Sequence, residues 1–120
     1  MNGEQKIRDF TDLNTWKEAH KLALAIYKST DSFPREERYS LVDQLRRAGI
    51  SVTSNIAEGF SRNSYKEKIQ FYAMSQGSNT ELQNQLILSR DLNYVTEENF
   101  AKLYENSIVV HKLINGLIKG

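Results

Sequence analysis

A chain of 120 residues with a net charge of +1, 39% hydrophobic and 26% charged residues has the length and balance of one globular domain, residues 1–120. Its lack of cysteine excludes disulfides, thiolate metal sites and cysteine nucleophiles, and its near-neutral charge gives no general pull toward nucleic acid. No apolar run is long enough to cross a bilayer and MNGEQKIRDF lacks the apolar core of a signal peptide, so a cytoplasmic location is expected.

Residues 1–10 read as a flexible lead. The first helix is expected over about 14–30, with Trp16, Ala19, His20, Ala23, Ile26 and Tyr27 recurring at helical spacing and Asp12 or Asn14 as its cap. The second is expected over about 34–58. Pro34 suits a first turn, Glu36 and Glu37 suit the positive end of the helix dipole, and Gly59 is the expected stop. Leu41, Leu45, Ala48, Val52 and Ile56 form its stripe. The third, about 64–92, opens on the capping-box pair Ser64 and Glu67, with Phe71, Met74, Leu82, Leu88 and Leu92 expected inward. The fourth, about 97–118, follows Thr96 and carries Phe100, Leu103, Val110, Ile114 and Leu117. No segment alternates with a strand's period of two. Four such helices on short loops predict an all-α, antiparallel up-down-up-down four-helix bundle.

Within QLRRAGISVTSNIAEGFSRNS (44–64), small and polar residues sit beside the apolar stripe: Gln44, Ala48, Ser51, Asn55 and Glu58, with Arg47 on the edge. Helix 3 likewise sets Ser78, Glu81 and Gln85 among its apolar residues. Pairing across a loop at 59–63 brings Gln44 level with Ser78, and Glu81 within one turn. A buried polar network in which Arg47 or Gln44 meets Glu81 is therefore expected, since an unpartnered buried polar atom costs about 1–3 kcal/mol. For Ser51 and Asn55, simple exposure to water beside the core is an equal alternative. Leu22, Ile50, Phe60, Leu86 and Val109 fall off the main stripes, and helices apolar on more than one face call for a second burial surface, here a copy of the same chain.

The combination QLRRA (44–48), SxxxNIAEG (51–59) and GSxxEL (77–82), within a likeness spanning about residues 10–118, resembles the bacterial four-helix bundle proteins encoded in intervening sequences of 23S rRNA genes, some of which carry a ribosomal-protein label. Gly49 stands where that family commonly has Ala. The resemblance implies an antiparallel four-helix bundle assembled as a homopentamer. It also implies a fold shared with the accessory protein of diversity-generating retroelements, which binds nucleic acid and a reverse transcriptase through basic surfaces.

Chemistry-bearing patterns are few. His20 falls on an apolar face and His111 at the edge of one, at similar heights in the bundle, but the Glu-x-x-His of di-iron bundles is absent. Hydrogen bonds to Tyr104, Ser107 or a backbone carbonyl are the expected use of these rings. HExxH, P-loop, GxSxG and GxGxxG motifs are also absent, so no catalytic, cofactor-binding or metal-ligating residue and no cofactor is assigned. Threading the bundle gathers eight basic and six acidic residues at the end holding the 59–63 loop, a net charge of +2. The opposite end has five basic and eight acidic residues, net −3. Arg62, Lys66, Lys68 and Lys17 are accordingly the candidate nucleic-acid contacts. The sequence thus points to a non-enzymatic, oligomeric bundle acting as a binding or scaffold module, with RNA or a nucleic-acid-processing protein as candidate partner. A structural protein–protein interaction module with no nucleic-acid role is the alternative.

Overall fold

Capping chemistry divides the chain. The Ser64 hydroxyl accepts the Glu67 N–H at 3.2 Å and the Thr96 hydroxyl accepts the Asn99 N–H at 3.0 Å, which fixes where two helices begin. The computed structural model describes residues 6–120, among which lie four α-helices and no strand: α1 (Asn14–Thr30), α2 (Leu41–Ser61), α3 (Tyr65–Asp91) and α4 (Glu97–Lys119). Three boundaries differ from expectation. Neither Asp12 nor Asn14 caps α1. Asp12 instead closes a reciprocal box with Asp9 around a 3-10 turn, Phe10–Asp12, accepting the backbone N–H of Arg8 at 2.8 Å and of Asp9 at 3.2 Å. Residues 8–10 of the lead expected to be flexible are thus tied into a turn, while residues 1–5 lie outside the described residues. Pro34 opens a separate 3-10 turn, Arg35–Glu37, and α2 starts at Leu41.

The third difference concerns Gly59, which does not stop α2. The helix runs on to Ser61, and a Cβ at position 59 would lie 2.6 Å and 2.8 Å from ring carbons of Tyr72. Glycine is needed there for close approach, so that α3 can press an aromatic ring on the backbone of α2.

Each helix packs on two neighbours. The pairs are α1 with α2, α2 with α3, α3 with α4 and α4 with α1, leaving α1/α3 and α2/α4 as diagonals. This is a four-helix bundle with antiparallel neighbours. Its core gathers Leu22 and Ile26 of α1, Leu45, Val52 and Ile56 of α2, Leu82 and Leu86 of α3, and Leu103, Val110 and Ile114 of α4. Each such side chain contributes about 1.5–3 kcal/mol of burial. Leu22 and Leu86, expected on an outward surface, are each 1% exposed and central to this core. Conversely Met74, Leu88 and Leu92, expected inward on α3, are exposed. The buried face of α3 consists instead of Tyr72, Ser75, Asn79, Leu82, Gln85, Leu86 and Ser89.

The ends of α1–α2 and α3–α4 meet at a Phe33–Tyr94 ring contact, with centroids 5.3 Å apart. Beside it, Tyr94 donates its hydroxyl to Glu37 at 2.9 Å. No helix among the described residues is long and apolar enough to cross a membrane.

Candidate functional site

Two polar seams run along α3. Toward α2, the hydroxyls of Ser51 and Ser78 lie 2.7 Å apart, and Asn55 donates to the Ser51 carbonyl at 2.9 Å and to its hydroxyl at 3.1 Å. Two turns further along, Gln85 donates to Gln44 at 3.3 Å. The structure therefore brings together Gln44, Ser51, Asn55 and Ser78, half-buried or at the surface, but it does not form the expected contact with Glu81. Glu81 is exposed, Arg47 pairs with Asp43 at 2.9 Å, and Glu58 pairs with Arg62 at 2.8 Å. Glu81 is lost because it lies on the exposed face of α3, and the partner of Gln44 is changed by register. Because α2 continues past Gly59, the α2–α3 hairpin closes later than a 59–63 loop would, and Gln44 meets Gln85 rather than Ser78.

The second seam, toward α4, was not anticipated. Gln76 donates to the His111 carbonyl at 3.1 Å and to Asn115 at 3.0 Å. Asn79, fully buried, donates to the Ser107 carbonyl at 2.9 Å, and Gln83 donates to the Ser107 hydroxyl at 3.0 Å. The spacing of Gln76, Asn79 and Gln83, and of Ser107, His111 and Asn115, holds that signal, though such residues ordinarily mark a wet face. His111 lies with Nε2 3.4 Å from the Asn115 amide rather than on Tyr104 or Ser107, which bond to each other. His20 is exposed and stacks on Trp16 with centroids 4.6 Å apart. Among the described residues, no three of His, Asp and Glu converge as a metal ion would require.

The basic candidates gather at the end of the bundle formed by the α2–α3 turn, and most are engaged. Lys68 donates to the Phe60 carbonyl at 2.6 Å, which neutralises the carbonyl end of α2. Arg62 sits over the Phe71 ring at 4.5 Å while paired to Glu58. Lys17 lies close enough to Asp12 for its charge to help lower that carboxyl below its usual range, after the larger effect of the Arg8 and Asp9 N–H groups. Lys66 is exposed on the first turn of α3. Glu4, counted at this end in the sequence, lies outside the described residues.

Large apolar side chains lie open on the outer faces: Leu24 is 59% exposed, Met74 55%, Leu88 49% and Ile50 46%. Phe60 and Val109, also expected outward, are half-buried.

Comparison with known proteins agrees with this architecture. The model of the 23S rRNA-intervening sequence protein family matches residues 11–116. No curated protein matches. The fold is similar to the crystal structure of a protein of unknown function from the S23 ribosomal protein family of Bacteroides thetaiotaomicron, with a TM-score of 0.79 at 22% identity over 88% of this chain and 99% of that one.

Proposed function

The chain belongs to the 23S rRNA-intervening sequence protein family, and from that premise we propose that it is a non-enzymatic scaffold that assembles with copies of itself, as a homopentamer, and associates with RNA through its basic end. The observation that carries the assembly is the exposure of Leu24, Ile50, Met74 and Leu88 on α1, α2 and α3. Large apolar groups left open on several helices favour a second burial surface. Five copies in a ring would also bring five α2–α3 turns together. The exposed charge of Lys66, small in one chain, would then add to those of Arg62, Lys68 and Lys17 in a cluster able to hold phosphates.

Sedimentation equilibrium tests the assembly. A mass of several chains is expected, reduced by Met74→Ser with Leu88→Ser, and a single-chain mass at high concentration overturns it. Filter binding to structured RNA at two salt concentrations tests the partner. Binding that weakens with salt is expected, and no binding at low salt removes RNA from the proposal. The engagement of Arg62 and Lys68 within the chain favours a second reading, a protein–protein interaction module without nucleic acid. Partners that survive nuclease treatment in a pull-down would select it.

A further inference from the structure

The α1–α2 turn, at the opposite end of the bundle from Arg62, Lys66 and Lys68, holds a concavity of about 230 Å³ lined by Asp31, Phe33, Arg35, Arg38, Val42 and Arg46 among others. That end of the chain carries an acidic net charge, yet three arginines and one aspartate line the concavity, an excess of two positive charges in the lining, with Glu36 and Glu37 on the same turn. The three arginines are held differently. Arg46 is fixed from several sides: its Nε donates to the Thr30 hydroxyl at 3.0 Å, and its Nη2 donates to the Tyr27 carbonyl at 3.3 Å and to Asp31 at 3.1 Å. Its planar group also sits over the Tyr27 ring at 4.5 Å. Its Nη1 has no protein partner among the described residues, leaving two donors of a rigid fork unused. Arg35 and Arg38 are exposed and form no ion pair among the described residues.

We propose that this concavity is a binding site for a phosphomonoester. A fixed guanidinium with unused donors beside two adaptable ones suits a tetrahedral group with three terminal oxygens and two negative charges better than a carboxylate with two oxygens and one. The volume lies below the roughly 300–1,000 Å³ of pockets that enclose drug-sized molecules, so the site takes the phosphoryl group and only part of what it esterifies. Phe33 and Val42 offer that part an apolar wall.

The test is an amide NMR titration of the full chain with inorganic phosphate, a nucleoside 5′-monophosphate, and a dinucleotide whose only phosphate is a diester, at constant ionic strength set with chloride. Saturable shifts centred on residues 30–46 are expected with the first two and not with the third. Arg35→Ala with Arg38→Ala, both at exposed positions, should weaken binding about tenfold or more, the loss of one or two charge-assisted contacts, without lowering the unfolding temperature. Asp31→Asn should tighten binding, because it removes the only carboxylate in the lining and leaves Arg46 more donors to offer. Shifts equally strong at Arg62, Lys66 and Lys68, equal affinity for the diester, or binding indifferent to the double substitution would each overturn the assignment. So would the absence of saturable shifts at residues 30–46.

Discussion

α2 and α3 form an intimate pair in the bundle, and they bury different mixtures of residue. The inward face of α2 is Leu41, Leu45, Ala48, Val52 and Ile56, an apolar stripe at helical spacing. The inward face of α3 includes Ser75, Asn79 and Ser89, all fully buried, while Met74 and Leu88 point out. The buried hydroxyls of α3 are satisfied by backbone: Ser75 donates to the Val52 carbonyl at 2.7 Å and Ser89 to the Gln85 carbonyl at 2.8 Å. Small side chains let α3 come close to α2, and the hydrogen bonds offset the desolvation that closeness imposes. Three side-chain oxygens, on Gln76, Asn79 and Gln85, are buried without a partner among the described residues, so the polar face of α3 is the less favourable of the two. α2 buries an unbroken apolar stripe, while α3 sets Leu82 and Leu86 among buried polar side chains.

Truncating the two helices separates these roles. Leu45→Ala, at a fully buried site on α2, should cost about 2–5 kcal/mol in urea unfolding, transfer and cavity together. Met74→Ala removes a side chain of similar size from α3 but should stay within about 0.5 kcal/mol at dilutions where the chain is monomeric. Equal costs would break the comparison. Gly59→Ala probes the contact itself. Its new methyl would meet the Tyr72 ring well inside van der Waals distance, and the forced separation of α2 from α3 should cost about 1–3 kcal/mol by thermal unfolding. A neutral outcome would mean that the ring yields freely and that the close approach is not a constraint.

This contrast also explains what could be read from the chain. The stripe of α2 was legible because its apolar residues stand among polar ones. In α1 the run LALAIY is apolar at nearly every position, so the pattern could not choose a face. The true one is Thr15, Ala19, Leu22, Ile26 and Thr30, leaving His20 and Tyr27 exposed. α3 misled more thoroughly, because Met74, Leu88 and Leu92 recur at helical spacing on a side the bundle leaves open, and Ser and Asn in a core look like surface. The polar residues of the α2–α3 seam were recognisable as a group. Their partners were not, since these depend on a hairpin register set by two further helical residues beyond Gly59. The arginine-lined concavity was hidden for another reason: summing charge over a whole end of the bundle averages Arg35 and Arg38 with acids such as Glu36 and Glu37, and leaves Arg46, on α2, out of the sum.

The close of α3 offers a smaller test. Asn93 has φ of 63°, and around it the Tyr94 N–H donates to the Ser89 carbonyl and the Asn93 N–H to the Arg90 carbonyl, both at 2.9 Å, the crossed pair of a Schellman ending. Asn93→Ala should lower stability by about 1 kcal/mol because Ala resists the left-handed region, and Asn93→Gly should be neutral or slightly stabilising. If Ala and Gly behave alike, backbone strain does not govern this end of α3.

The smallest expected effect is a pH dependence in the latch joining the entry to α2 with the exit from α3. Hydrogen bonds from the Ser40 and Tyr94 hydroxyls hold the Glu37 carboxyl below its ordinary value of 4.5, and the bond to Glu37 raises the Tyr94 phenol above its ordinary 10.0. A depressed carboxyl contributes stability that is present above its unfolded pKa and lost as pH falls through the folded one, because the unfolded chain binds the proton first. A raised phenol contributes stability that is present below its unfolded pKa and lost as pH rises through the folded one. The latch should therefore weaken at both extremes and hold between them. Tyr94→Phe keeps the ring against Phe33 but removes the hydroxyl, so it should flatten both flanks of a plot of unfolding temperature against pH, the acid flank only partly, since Ser40 still donates to Glu37. An unchanged alkaline flank would show that the Glu37–Tyr94 bond does not couple the two helices, leaving the ring contact and the shared apolar core to hold α3 on α2.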